Sequence, residues 1–399
     1  MNSENMSSKK EKPDALWTKN FILVTIMNFL IFFGFTMLMP TLPVYIKNMN
    51  GSDSIIGLIN GIFTISALMI RPFSGKFLDK FGRKGVFIVG VIISIVAILS
   101  YNLFPFVWMI LAFRFIHGFG WGASTTASST IASDNIPKKR FGEGMSYYSL
   151  SISLATAIGP AIGLFFIAKY NFDNLFYLVA ICTAIGMLIS LAIIYKKVPS
   201  KENRNEKQAL FEKSSFAPTI VVFFFSFAGS GIVSFISLFA AEKGIENIGM
   251  YFTANALAMI ISRPFLGKVI DRFGFNVTVI PGVISVIVAL VLISQATVLP
   301  MLLVAAVLQG VGYAATLASL QTMAIIKAPQ NRVGAANATY STGYDGGIGF
   351  GAIVFGLVAS TFGYSSMYMI SVVPAAVALV IYIVISRKKT TDTAEVAEK

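Results

Sequence analysis

Two ionisable residues stand alone inside long uncharged apolar stretches. Residues 85–133 carry one charge, Arg114, and residues 333–386 carry one, Asp345. A central arginine costs about 2.5–3.5 kcal/mol on membrane-insertion scales, so its presence points to a purpose. Two purposes fit Arg114: coupling to proton movement, or an interior hydrogen-bond hub. His117, the only histidine, lies one turn away and either titrates or packs. Burial and a cationic partner such as Arg114 pull the proton affinity of Asp345 in opposite directions. A carboxyl poised between those effects can load and release a proton or bind a ligand. Its other reading is structural, pinned by hydroxyls or backbone.

Other chemistries have little to build with. The single cysteine, Cys182, allows no intrachain disulfide and no cysteine metal site. One histidine excludes clustered His/Cys metal ligation. No Gly-x-x-x-x-Gly-Lys-Ser/Thr loop is present, so ATP is not a direct fuel and no cofactor is expected. A membrane enzyme would need a nucleophile–base pair or metal ligands, and one histidine with one buried aspartate supplies neither.

The elements that position these residues are membrane helices. Only 12% of the 399 residues are charged and 56% are hydrophobic, against about 25% charged in soluble chains. The net charge of +13 sits in short loops between apolar spans. That pattern fits topogenic charge and argues against nucleic acid as a partner. A spanning helix needs about 20 apolar residues. Residues 20–46, 54–70, 144–168 and 174–195 each supply one, and 85–133 supplies two, turning near Asn102–Pro105. In the second half, 214–241 and 247–262 supply one each, 273–326 a hairpin turning near Pro300, and 333–386 a pair. Twelve transmembrane helices are expected, all α, because backbone amides in lipid need partners within their own segment. With both termini inside, 27 of the 31 basic residues fall on the inner side; only Lys47, Lys169 and Lys243 lie outside. Residues 1–195 and 216–399 then form two six-helix bundles, joined by a cytoplasmic linker at 196–215.

The halves repeat one another. Arg71-Pro-Phe-Ser-Gly75-Lys-Phe-Leu-Asp79-Lys-Phe-Gly82 returns as Arg263-Pro-Phe-Leu-Gly267-Lys-Val-Ile-Asp271-Arg-Phe-Gly274, an offset of 192. In the same register Pro137, Arg140, Gly142 and Tyr148 match Pro329, Arg332, Gly334 and Tyr340. His117-Gly118 aligns with Gln309-Gly310, and Arg114 with Ala306. A duplicated bundle with matched charged loops is a transporter organisation, with its path between the halves near the midplane.

On these residues the chain resembles the major facilitator superfamily. Gly75, Asp79, Gly82, Arg83 and Lys84 are similar to the family's signature between helices 2 and 3. The resemblance implies a charged latch on the cytoplasmic face that locks the bundles together; plain topogenic charge is the simpler reading. Aspartate four residues before arginine suits a local ion pair. The second copy keeps Gly267 and Asp271 but has Phe275 and Asn276 where the first has Arg83 and Lys84. The run Arg114-Phe-Ile-His117-Gly118 resembles the family's helix-4 motif, with histidine replacing the usual glutamine. Ala155, Gly159, Pro160 and Gly163 resemble the helix-5 pattern of the proton-antiporting exporters, with Ala155 replacing glycine. Small residues four apart also give a close-packing face, and proline bends the helix. Gly343, Gly347 and Gly351 give a second such face beside Asp345.

The resemblance implies a proton-coupled secondary transporter, an exporter of small hydrophobic or amphipathic compounds by alternating access. A nutrient importer shares the fold and is the alternative; a polytopic enzyme is remote. The expected partners are a small-molecule substrate, protons and the lipid bilayer, in a monomeric multi-pass protein of the cell membrane. Coupling is expected at Asp345, Arg114 and His117.

Overall fold

The structure is a computed structural model that describes residues 15–137, 140–195, 211–326, 328–329 and 333–397. It is all-helical, with no strand among the described residues. In the first half run α1 (Lys19–Asn48), α2 (Asp53–Leu103), α3 (Val107–Asn135), α4 (Phe141–Lys169) and α5 (Phe172–Leu191). In the second run α6 (Phe216–Glu242), α7 (Gly249–Phe273), α8 (Asn276–Ser294), α9 (Leu299–Ile326) and α10 (Val333–Ala397).

Two helices are double. α2 breaks at Gly82 (φ 78°, ψ 159°) and α10 at Gly363 (φ 77°, ψ 167°). Each break lies in a region open essentially to glycine alone. The ten helices thus carry twelve helical arms among the described residues, in keeping with the expected twelve. Among the described residues, nine stretches are long and apolar enough to cross a membrane by length and composition, one of them the 50-residue run Ala338–Arg387. Neither α3 nor α7 is among these. α3 spends its second half on Ser124, Thr125, Thr126, Ser128, Ser129 and Thr130, most of which return their hydroxyls to the helix's own carbonyls. Apolar side chains such as Val89, Val96, Leu188 and Val380 point outward more than half exposed, the surface that a lipid bath would cover.

One local expectation differs from the structure, and two are sharpened by it. The repeated charged segment is not a loop: helix continues to Phe81 in α2 and to Phe273 in α7. Its lysines, leucines and phenylalanines tolerate helix, and only Gly82 and Gly274 (φ 78° each) stop it. The hairpin turns at 295–298, and Pro300 lies in the first turn of α9, where its missing N–H costs nothing. The expected linker 196–215 ends packed against the second half; 196–210 lie outside the described residues. Glu212 is buried with its N–H donating to Thr339 (2.9 Å), and Ser215 donates to the Ala324 carbonyl (2.8 Å).

The bundles are tied internally by polar clusters. In the first half Tyr148 donates to Asn28 Oδ1 (2.8 Å), as does Ser128 (3.0 Å), while Asn28 Nδ2 donates to Ser151 (2.9 Å). This joins α1, α3 and α4 through groups that are all buried.

Candidate functional site

α3 places Arg114 and His117 on one face, buried against α1 and α2. The guanidinium carbon lies 4.2 Å from the Phe63 ring centre and 5.6 Å from that of Phe35. Its hydrogen bonds are long: Nη2 to Asn60 Oδ1 at 3.5 Å and Nη1 to His117 Nδ1 at 3.4 Å. Nε has no hydrogen-bond partner. Arginine only donates, so Nδ1 of His117 is an acceptor, also reached by the Tyr101 hydroxyl (3.0 Å). The imidazole is then neutral, with its proton on Nε2. Among the described residues no carboxylate pairs with Arg114. Ring faces recover about 2 kcal/mol for a desolvated cation, less than the several kcal/mol that burying an ion costs.

The equivalent place in the second half holds a neutral hub. Gln309, the repeat partner of His117, accepts from Tyr251 and from Asn255 Nδ2 (3.2 Å), and Ala306 replaces Arg114.

Asp345 is not at this hub. Its Oδ2 lies 2.6 Å from Nη1 of Arg71, with both side chains about a quarter exposed. Arg71 is eleven residues beyond Asn60 on α2, about 16 Å along the axis at helical rise. The sequence names Arg114 as a candidate partner because it is the other intramembrane charge. The partner is instead decided by which helix lies against α10, and that helix is α2. Arg71 opens the repeated segment, and an arginine closing an uncharged span in both copies was the available signal.

Just past the Gly82 break in α2, Arg83 Nε donates to Asp134 (3.1 Å) and Nη1 to the Leu78 carbonyl (3.1 Å). Lys84 sits 5.9 Å over the Tyr195 ring. Gly75 and Gly267 lie within helical runs. Asp79 and Asp271 fall outside the residues whose side chains are described.

Small residues set how closely helices meet. On α4, Ala155 accepts from Thr36 of α1 (2.9 Å), and a Cβ on Gly163 would lie 2.7 Å from the Met37 carbonyl; Gly159 faces Thr36, and Pro160 lies inside the helix. On α10, Gly343, Gly347 and Gly351 face Thr219, Phe223 and Phe227 of α6. A second row joins the two halves. A Cβ on Gly356 would lie 2.7 Å from the Asp53 carbonyl and 2.9 Å from Gly57 Cα, and Gly61 meets Ile353. The spacing Gly57-x-x-x-Gly61 was the overlooked signal. Around this contact Tyr364 donates to Asp53 (2.7 Å), Lys47 pairs with Asp53 (2.8 Å), and Ser54 meets Ser360 (2.9 Å). Further along, Asn60 donates to Ser234 of α6 (3.0 Å). The halves are therefore closed at the Asp53 end.

Toward the Gly82 end, α1 and α4 border a groove of about 250 Å³, lined by Trp17, Ile26, Phe29, Tyr147, Leu150 and Leu154 among others, none charged. Leu154 is two turns before Ala161, on the face of α4 that meets Gly249 of α7.

Two bundles meeting along closely packed helices, with isolated charges in their spans, are the architecture of a membrane transporter. The chain belongs to the Major Facilitator Superfamily, whose profile matches residues 24–246 and 219–399. It is 25% identical over 383 residues to an uncharacterized MFS-type transporter of Methanocaldococcus jannaschii, covering 92% of this chain and 99% of that one. It is 27% identical over 300 residues to Multidrug resistance protein 2 of Bacillus subtilis, covering 70% and 74%. A solved bacterial homologue of the human lysosomal transporter Spinster, inward-facing and unoccupied, superposes with a TM-score of 0.74 over 96% of this chain and 99% of that one. Its 18% identity makes that a likeness of fold alone. The protein is thus a multi-pass membrane transporter of small molecules, not an enzyme, and needs no cofactor.

Proposed function

We propose that the protein exports small hydrophobic or amphipathic compounds in exchange for protons, by alternating access between bundles 1–195 and 216–399. The observation that carries this is the Arg71–Asp345 pair, a carboxylate bridging the halves within a membrane span. A proton on Asp345 cancels the attraction to Arg71 and removes one tie between α2 and α10. Proton occupancy then biases the relative position of the halves, which is what coupling requires. Lys and Arg asymmetry supports placing the Gly82 end and both termini in the cytoplasm. On that reading the outer end is sealed and the apolar groove is open to cargo from inside. Likeness to a multi-drug resistance efflux pump homolog of Lactococcus lactis and to a multidrug resistance protein supports export of drug-like cargo.

The test is accumulation of tetraphenylphosphonium, neutral aromatic dyes and sugars in everted vesicles, with and without an imposed ΔpH. Wild type should accumulate the first two when driven, and Asp345→Asn should lose at least tenfold of the driven component while keeping exchange at equal pH. Driven uptake that survives the substitution moves coupling away from Asp345 and α10. Nutrient entry into right-side-out vesicles with protons makes the protein an importer.

A further inference from the structure

The Arg114 guanidinium presents an energetic anomaly. It is fully buried, its Nε is unpartnered, its hydrogen bonds to Asn60 and His117 lie at the limit of length, and the further group beside it, the Tyr101 hydroxyl, is neutral. No described carboxylate compensates it, and the second half builds the same place with Ala306 and a neutral amide hub. The charge is therefore not needed to make such a bundle.

Its acceptor Asn60 reaches across the seam. Oδ1 takes Arg114 Nη2, while Nδ2 donates to Ser234 of the opposite half. When the halves part at the Asp53 end, this bond breaks and Asn60 turns to water, opening the edge of the guanidinium that carries Nε and Nη2. A buried ion without a counter-charge favours whichever conformation hydrates it.

We propose that Arg114 acts as a positioning residue whose desolvation opposes closure of the Asp53 end. It is a built-in bias toward the state open there, and it keeps the tight α2–α10 contact reversible. This rests on the alternating-access reading above, yet it assigns Arg114 neither a proton nor cargo. It also gives the charge a sign of effect. A hydrogen-bond hub that holds the closed state together would loosen that state when removed; a desolvated charge would tighten it.

The probe is a cysteine at Ser237, one turn from Ser234 on α6, buried with its hydroxyl unpartnered, in full-length protein carrying Cys182→Ser. Its rate of modification by a small water-soluble methanethiosulfonate reports opening at the Asp53 end, without cargo or a pH gradient. Arg114→Met should slow modification about tenfold or more, because closure no longer buries a charge. Arg114→Lys, which keeps the charge, should return the rate to within a few-fold of wild type. Faster modification in Arg114→Met, or an unchanged rate, overturns the proposal. Should Arg114→Met not fold, Arg114→Gln carries the same expectation and the same refutation. A probe that is never modified, in wild type or in any variant, overturns both this inference and alternating access. A shift in the wrong direction overturns only the inference.

Discussion

Closure at the Asp53 end depends on a glycine, and one methyl group tests it. A Cβ on Gly57 would run into the Ala352 carbonyl oxygen and stand 2.9 Å from Gly356 Cα and 3.2 Å from the Ala352 carbonyl carbon. All three are backbone atoms of α10, so no side chain can swing aside. The helices must separate or the contact must be lost. Overpacking of this kind costs about 1–3 kcal/mol. Under the proposed alternating access the contact exists only when this end is closed, so the cost falls on one state, and a bias of about 1–3 kcal/mol shifts the equilibrium roughly 5- to 150-fold. The Ser237→Cys probe described above should therefore be modified at least fivefold faster in Gly57→Ala. Gly85→Ala is the control, since a Cβ there meets nothing within 4 Å. If Gly57→Ala and Gly85→Ala give the same rate, the glycine contact does not set the closed state and the reasoning fails. The effect is opposite in sign to that expected of Arg114→Met, so one assay weighs both.

Three further outcomes follow from the same geometry. Cysteines replacing Ser54 and Ser360, whose hydroxyls lie 2.9 Å apart, should form a disulfide that stops transport until reduced; transport that continues with the bridge formed would mean the halves need not part there. Gly82→Ala should lower stability by about 1–3 kcal/mol through backbone strain alone, because φ 78° with ψ 159° excludes a side chain although the surrounding space is open; an unchanged melting temperature would refute it. Asn28→Ala should destabilise by about 1–3 kcal/mol, because buried Ser128 loses its acceptor while Tyr148 still donates to Ser128 and Ser151 to the Tyr148 carbonyl; a thermal melt in detergent reads this, and no change would mean that the cluster repacks.

The sequence by itself determined the class of molecule. Scarcity of charge forced membrane helices, the 192-residue repeat forced two like bundles, and lone ionisable residues marked where the interior is unusual. These are properties of single segments or of their order, so they are legible without knowing which segments touch. Gly82 and Gly274 could likewise be read as paired landmarks of the repeat, although they end helices rather than lie in loops. The partners were decided only by tertiary structure. Asp345 and Arg114 are the two intramembrane charges, yet Asp345 meets Arg71, because α10 lies along α2 and Arg114 points among α1, α2 and α3. Gly57 and Gly356 are 299 positions apart, and nothing in either neighbourhood names the other. Ion pairs and glycine contacts are properties of two surfaces brought together. Hydropathy specifies that each helix enters the membrane but leaves open which face it turns to which neighbour.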